Sequence, residues 1–271
     1  MGKVLQDLVA NTGSGVYNDS RKENDFMKQR CKRIICMVIA AILIGTSAVT
    51  VQPMDAQAAT KAQTAKAKKA REKKINNMLG KKAVFIGDSV MEGVSMFSGH
   101  KSNYITKVGM NIINAQDSRY KIGKKNVVQL TKSYKPSYIY IMLGANEVGW
   151  MSTAQAYSNY KSLIQKLKKA CPKAKIYIIS IEPVTKKFVS GHSGYTIKKI
   201  KAYNSMLKKV AKNTKVKYLN IYNYFKDKNG YLNQKYCWAG GDGLHWNVAG
   251  TKRFISSVKA ALRKQIPLTY K

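Results

Sequence analysis

Acidic residues are what this chain has least of for its size. Only 13 Asp and Glu stand against 49 Lys and Arg in 271 residues, a formal charge of +36. So few carboxylates leave the lysines without partners of opposite sign, and a positive field covers nearly the whole surface. Such a chain seeks polyanions. The basic residues are scattered, however, and zinc-finger, helix-turn-helix and aromatic RNA-binding signatures are all missing, which argues against a specific nucleic-acid partner. An anionic cell-wall polymer or a membrane surface fits better. Histidine numbers 3 and cysteine 4. There is no internal repeat. Phenylalanine is also scarce, at 6 against 17 tyrosines, and past residue 81 no long apolar segment suggests a lid.

The one long hydrophobic run lies near the amino end. Residues 34–51 are almost uncharged; Lys28, Arg30, Lys32 and Arg33 precede them, and Ala56-Gln57-Ala58 follows. A basic start, an apolar middle and a small-x-small close describe an export signal. Met27 begins a segment of conventional signal shape, so translation from Met27 is expected, with cleavage after Ala58. Left uncleaved, the run is long enough to be a single-pass anchor with its basic end inside. Three regions follow from this: residues 1–58 as extension plus signal or anchor, 59–80 as a polybasic Ala/Lys linker, and 81–271 as the folded domain. The protein is expected to be secreted or attached to the cell surface. Residues 59–271 keep 42 Lys and Arg against 8 Asp and Glu, and only Cys171 and Cys237 among the cysteines. Those two fall at opposite rims of the predicted sheet, so no disulfide is expected.

From residue 81 onward, apolar β-leaning runs alternate with helical periodicity. Strands are predicted over 83–86, 104–107, 138–143, 176–181 and 217–221. One helix is marked by Ala154, Tyr157, Leu163, Ile164 and Leu167, another by Ile197, Ile200, Leu207, Val210 and Ala211. A last helix is expected over 248–262, with Asn247 as its cap. The alternation implies α/β class, with a parallel sheet covered on both faces.

Four stretches follow or connect these strands on one rim. Gly87-Asp88-Ser89 follows the first strand, and a serine there opens a helix, displays its hydroxyl and leaves its own N–H unpaired. Gly109 lies just past the second strand and Gly144-Ala145-Asn146-Glu147 just past the third. Asp242-Gly243-Leu244-His245 precedes the last helix. A serine hydroxyl needs a base, and His245 is the only histidine with a carboxylate three residues before it. Asp242 would fix the imidazole tautomer. The Ser89 N–H, the Gly109 N–H and the Asn146 amide would hold an oxyanion. The scheme asks for no metal and no cofactor. The bland alternatives are Asp88 or Ser89 as a helix N-cap, Asp242 as a loop or cap residue, and Asn146 as a turn residue.

This ordered set resembles the SGNH or GDSL hydrolase superfamily over about residues 81–264. The resemblance implies a three-layer α/β/α, flavodoxin-like fold with a five-stranded parallel sheet. It makes Ser89 the nucleophile, Asp242 and His245 the rest of a triad, and Gly109 and Asn146 oxyanion donors. Two residues depart from the pattern: Glu147 stands where many members have Asp, and Val90 where the older name has leucine.

All three tryptophans flank these blocks, Trp150 after Asn146, Trp238 before Asp242, and Trp246 beside His245. Each is either a platform for a sugar ring or a wedge between loop and core. His100 and His192 read as loop histidines, although His192 follows the fourth strand and could line the site. A basic surface with few apolar loops favours an acylated glycan over bulk lipid. The expected protein is therefore a monomeric exported serine esterase that removes short acyl groups, chiefly O-acetyl, from a cell-wall or extracellular polysaccharide. The alternatives are a lipase-like or lysophospholipase-like esterase, an acyltransferase, and a polycationic wall-binding protein on an inactive hydrolase fold.

Overall fold

The computed structural model describes the backbone of residues 53–269 and side chains from residue 60. The expected start at Met27 and the apolar run 34–51 lie outside the described residues. The chain divides into Met1–Ala58 and Ala59–Lys271, and the architecture below is that of the second unit. Among the described residues no helix is long and apolar enough to cross a membrane.

The first described element is α1, Pro53–Met78. The segment expected as a solvated linker is thus helical as far as Met78. Its last turn is part of the fold, because Ile75 and Met78 are buried together with Leu79 just beyond. Arg263 donates two hydrogen bonds of 2.7 Å to the Glu72 carboxylate and ties α1 to the last helix. That guanidinium holds Glu72 below the usual carboxylate range.

The sheet is built from β1 (Ala83–Gly87), β2 (Asn103–Thr106), β5 (Tyr138–Met142), β6 (Lys175–Ile179) and β7 (Lys217–Leu219), in the order β2-β1-β5-β6-β7. All four pairings are parallel. The strands sit within two residues of their predicted bounds, and every residue of β1 is buried, as a strand covered on both faces must be. Registered aromatic rings cross the sheet from β2 to β6: Tyr104 on Phe85, Phe85 on Tyr140 and Tyr140 on Tyr177, with centroids 5.5, 4.7 and 4.9 Å apart. Here part of the tyrosine excess is core.

Helices cover both faces. The chain enters α2 (Ser89–Phe97) after β1, α5 (Thr153–Ala170) after β5, and α7 (Ile197–Asn213) after β6. Between β2 and β5 lie α3 (Ile112–Gln116), a small antiparallel hairpin of β3 (Lys121–Ile122) and β4 (Lys125–Asn126), and α4 (Val127–Ser133). These short elements were not expected, since none is long enough to show a period. The closing helix α9, Val248–Gln265, carries the expected cap: Gly250 N–H donates to Asn247 Oδ1 at 2.9 Å. Two shorter helices, α6 (Lys186–Gly191) and α8 (Tyr222–Phe225), fill the loops after β6 and β7.

The inner stripe of α5 differs from the expected one. Ala154 is exposed and Tyr157 half-buried, whereas Ala156 and Tyr160 face the core with Leu163, Ile164 and Leu167. A tyrosine can occupy that place because its hydroxyl is satisfied there. Tyr160 donates to Leu143 O at 2.7 Å and accepts from Leu143 N at 3.1 Å.

Candidate active site

Strand register brings the blocks to one rim. Gly87 pairs with Thr106 on one side and with Met142 on the other, so Ser89, Gly109 and Gly144 each follow at two or three residues from aligned strand ends. β1 and β5 are neighbours whose chains leave toward different helices, and an open parallel sheet has its crevice at such a divergence.

At the first residue of α2, Ser89 is half-buried. Asp88 caps this helix, accepting from Val90 N at 3.0 Å, and is itself buried. Burial pushes the Asp88 carboxyl up to about 6 despite the helpful backbone donors. Asp88 therefore serves as the cap the bland reading proposed, which leaves the Ser89 hydroxyl free for other contacts.

His245 Nε2 lies 2.8 Å from Ser89 Oγ, and His245 Nδ1 lies 2.5 Å from Asp242 Oδ2. An ionised carboxylate only accepts, so the proton sits on Nδ1 and the Nε2 lone pair faces the serine. The other Asp242 oxygen accepts from Leu244 N at 2.9 Å and from His245 N at 3.0 Å. Burial alone would raise the Asp242 pKa, but the hydrogen bonds from His245 and Leu244 outweigh it and hold the pKa below the usual value. The loop depends on Gly243, whose φ is +85° and where a Cβ would fall 1.9 Å from Thr185 Oγ1.

Asn146 and Gly109 come from the other side. Asn146 Nδ2 donates to Met110 O at 3.0 Å, which spends one amide hydrogen and leaves the second. Gly109 has φ +73° and is exposed. Among the described residues neither its N–H nor that of Ser89 has an acceptor. Glu147 is the residue whose importance the sequence reading understated. It is fully buried, and one carboxylate oxygen accepts from Ile112 N at 3.1 Å and from Tyr203 Oη at 2.9 Å. With the Asn146 bond it clamps the Gly109 loop to the Asn146 loop. Tyr203 packs so closely over Gly144 that a Cβ there would lie 2.5 Å from its ring. Burial raises Glu147 to about 7, and Glu182, buried with neither oxygen partnered, to about 8. Three of the eight acids past residue 58 are therefore buried. In so acid-poor a chain, a carboxylate inside apolar sequence is the signal that could have pointed to them.

Trp150 is exposed and its indole N–H donates to Asn146 O at 2.8 Å. Trp238 is 49% exposed and meets Phe97 edge-on at 6.2 Å. Trp246 is a correction. It is 3% exposed and stacked on Phe225 at 4.4 Å, so it is a core wedge that anchors His245 from behind rather than a surface for substrate. His192 is likewise occupied: its ring stacks on Phe188 at 3.9 Å and its Nδ1 is 2.9 Å from Phe188 O. His100 Nδ1 is 3.1 Å from Ser102 Oγ, outside the triad. Cys171 and Cys237 are both free thiols. Among the described residues no group of three His, Cys, Asp or Glu could hold a metal ion. The surface is less polar than expected, since Met96 and Phe97 at the end of α2, Val108 beside Gly109 and Ile113 on α3 are exposed.

The sequence matches the model of the GDSL-like lipase/acylhydrolase family over residues 85–253. No curated protein matches it. Among solved structures, a protein described as a platelet activating factor from Streptococcus pneumonia aligns at 19% identity over 78% of this chain and 100% of its own, with a TM-score of 0.52. An acylhydrolase from Bacteroides fragilis shows 19% identity over 70% and 93%, TM-score 0.52. A GDSL-like lipase from Bacteroides thetaiotaomicron shows 21% over 74% and 99%, TM-score 0.51. At such identities the likeness is one of fold, the three-layer α/β/α sandwich of the SGNH hydrolases.

Proposed function

Because the chain belongs to the GDSL-like lipase/acylhydrolase family and is an ester-hydrolysing enzyme, we propose that it is an exported serine esterase that removes short acyl groups, chiefly O-acetyl, from a cell-wall or extracellular polysaccharide. The observation that carries the mechanism is the hydrogen-bonded chain Ser89, His245, Asp242. Ser89 Oγ attacks the ester carbonyl carbon while its proton passes to His245 Nε2. The oxyanion is held by the Ser89 N–H, the Gly109 N–H and the free amide hydrogen of Asn146. As the carbon–oxygen bond of the ester breaks, His245 returns the proton to the departing alcohol. Water, deprotonated by the same imidazole, then attacks the acyl-serine, and the proton returns to Ser89. Asp242 holds the imidazole in the right tautomer throughout.

Export is supported by the basic, apolar and small-residue pattern of residues 28–58, and glycan attachment by a charge that favours anionic polymers. Amino-terminal sequencing of surface-extracted protein should begin at residue 59; a start before the apolar run overturns cleavage. Hydrolysis of p-nitrophenyl acetate by the purified protein tests the chemistry. Ser89→Ala and His245→Ala should each lower kcat by roughly 10⁴-fold or more, and equal turnover by all three proteins overturns the triad.

A second reading has its own support. The exposed Met96, Phe97, Val108, Ile113 and Trp150 suit a longer acyl chain. An acyl-length series from acetate to laurate decides between the two: a maximum at acetate or butyrate keeps the deacetylase reading, and one at octanoate or beyond replaces it with a lipase-like esterase.

A further inference from the structure

Beside the triad lies a cavity that the reaction above does not use. It has a volume of about 380 Å³ and is lined by Thr185, Lys187, Gln234, Trp238, Gly241 and Gly243 among others. That is near the small end of the ligand-pocket range of roughly 300–1,000 Å³, room for one ring rather than a chain of rings. Its wall is the triad's own loop, because Gly241 and Gly243 flank Asp242. The other wall is the start of α6, joined to that loop where Thr185 N donates to Gly243 O at 3.0 Å. Thr185 is buried and caps α6 by accepting from Phe188 N at 3.2 Å. The frame is thus tied on both sides.

Two exposed side chains stand in that frame. Trp238 lines the cavity and meets Phe97 through an edge contact at 76°, which steadies the indole while much of it stays open. Lys187 is exposed, and among the described residues it has no ion-pair partner. An aromatic surface, an unpaired ammonium and the Gln234 amide are together suited to a sugar ring with a negative substituent.

The reaction geometry says which half of the ester belongs there. Gly109 and Asn146 hold the carbonyl oxygen from one side, and His245 must reach the departing oxygen from the other. The alcohol therefore lies against the loop that carries His245. We propose that this cavity binds the alcohol half of the substrate and that this alcohol is an acidic sugar residue, a ring bearing a carboxylate or a phosphate, stacked on Trp238 with its anion on Lys187. The assignment rests on the esterase reading for its orientation and deepens it by naming the substrate class.

The test uses galacturonate, galactose 6-phosphate and galactose, each measured by calorimetric binding and as an inhibitor of p-nitrophenyl acetate hydrolysis. At least one acidic sugar should bind about tenfold more tightly than galactose, the ratio expected of one charge-assisted hydrogen bond. The stronger of the two identifies the anion. Lys187→Met should bring the ratio close to one, and Trp238→Ala should weaken all three sugars together. Lys169→Met, the loss of one exposed lysine on α5, should keep the ratio. Equal binding of acidic and neutral sugars overturns the proposal, and so does a ratio that survives Lys187→Met or falls equally with Lys169→Met, since the general positive field would then explain it. Ester turnover with no sugar binding sinks this subsite and leaves the esterase standing. Sugar-acid binding without any ester turnover sinks the esterase reading and, with it, the assignment of the sugar as the alcohol half.

Discussion

The loop that carries Asn146 and the loop that carries Asp242 and His245 meet at one serine, but they are held there by different means. Residues 144–151 are fixed by side chains from distant elements. Tyr203 of α7 presses on Gly144 and donates to Glu147, Glu147 accepts from Ile112, and Tyr195 donates to Ala145 O. The Asp242 loop is held mainly by its near neighbours. Asp242 accepts from residues two and three positions on, and Cys237 and Trp246 form a β-bridge across it. It is also the wetter side, with the Asp242 and His245 side chains 44% and 43% exposed. The buried Glu147 and Tyr203 position the Asn146 loop, whereas His245 is positioned by short-range chain chemistry. An oxyanion site gains from preorganised donors. A base that hands protons to alcohols and takes them from water needs an open face.

The comparison can be broken on either side. The largest effect is expected from Asp242→Asn, which keeps the shape but presents the wrong hydrogen-bonding pattern to the imidazole; kcat on p-nitrophenyl acetate should fall about 10⁴-fold with KM little changed. Asn146→Ala removes one donor from the buried side and should cost about 10² to 10³ in kcat. A loss as large as that of Asp242→Asn would mean that Asn146 does more than donate. Gly243→Ala tests the local side by structure rather than chemistry. The new Cβ would collide with Thr185 at a left-handed φ, and thermal unfolding should show a loss of about 2 to 3 kcal/mol; an unchanged Tm would show that the loop has room to move.

Two smaller effects sharpen the contrast. Glu182 has its folded-state pKa raised to about 8 from an ordinary 4.5, so between those values the folded state holds a proton that the unfolded state has lost. Stability from this group is present below about pH 4.5 and drains away as pH rises through about 8. Glu182→Gln should flatten that part of the stability–pH curve by an amount on the order of 1 to 3 kcal/mol, and an unaltered slope would mean the carboxyl is better solvated than its surroundings imply. Tyr203→Phe deletes only the hydroxyl that Glu147 accepts from. It should lower stability by about 1 kcal/mol and kcat several-fold, and a change in stability without any change in kcat would make Tyr203 a core residue with no hold on the oxyanion loop.

Legibility in the sequence followed the same division. The strands were visible because each is a short apolar run, and Asn247 because a cap acts on residues three positions away. Asp242 and His245 could be paired on paper since three residues separate them. Trp246 could not be placed, because its neighbour in sequence is His245 but its neighbours in space are Phe225 and Phe254, the latter with a centroid 5.7 Å away. Tyr160 was passed over for Tyr157 because nothing in the local sequence says which hydroxyl will find Leu143. The helical part of 59–80 was masked by its composition: α1 has no apolar stripe along most of its length, and only Ile75 and Met78 betray the turn that docks.

By itself, then, the sequence determined the αβ alternation, the parallel sheet, the serine, histidine and aspartate proposed as a triad, and the polycationic surface, since these were read from hydrophobic period, residue type, spacing and count. Tertiary structure alone decided that Glu147 and Tyr203 clamp two loops whose sequences lie far apart, that three of so few carboxylates are buried near the site, and that one tryptophan faces a cavity while another fills the core. Burial and contact between distant segments depend on how the chain returns on itself, and no local pattern encodes that return.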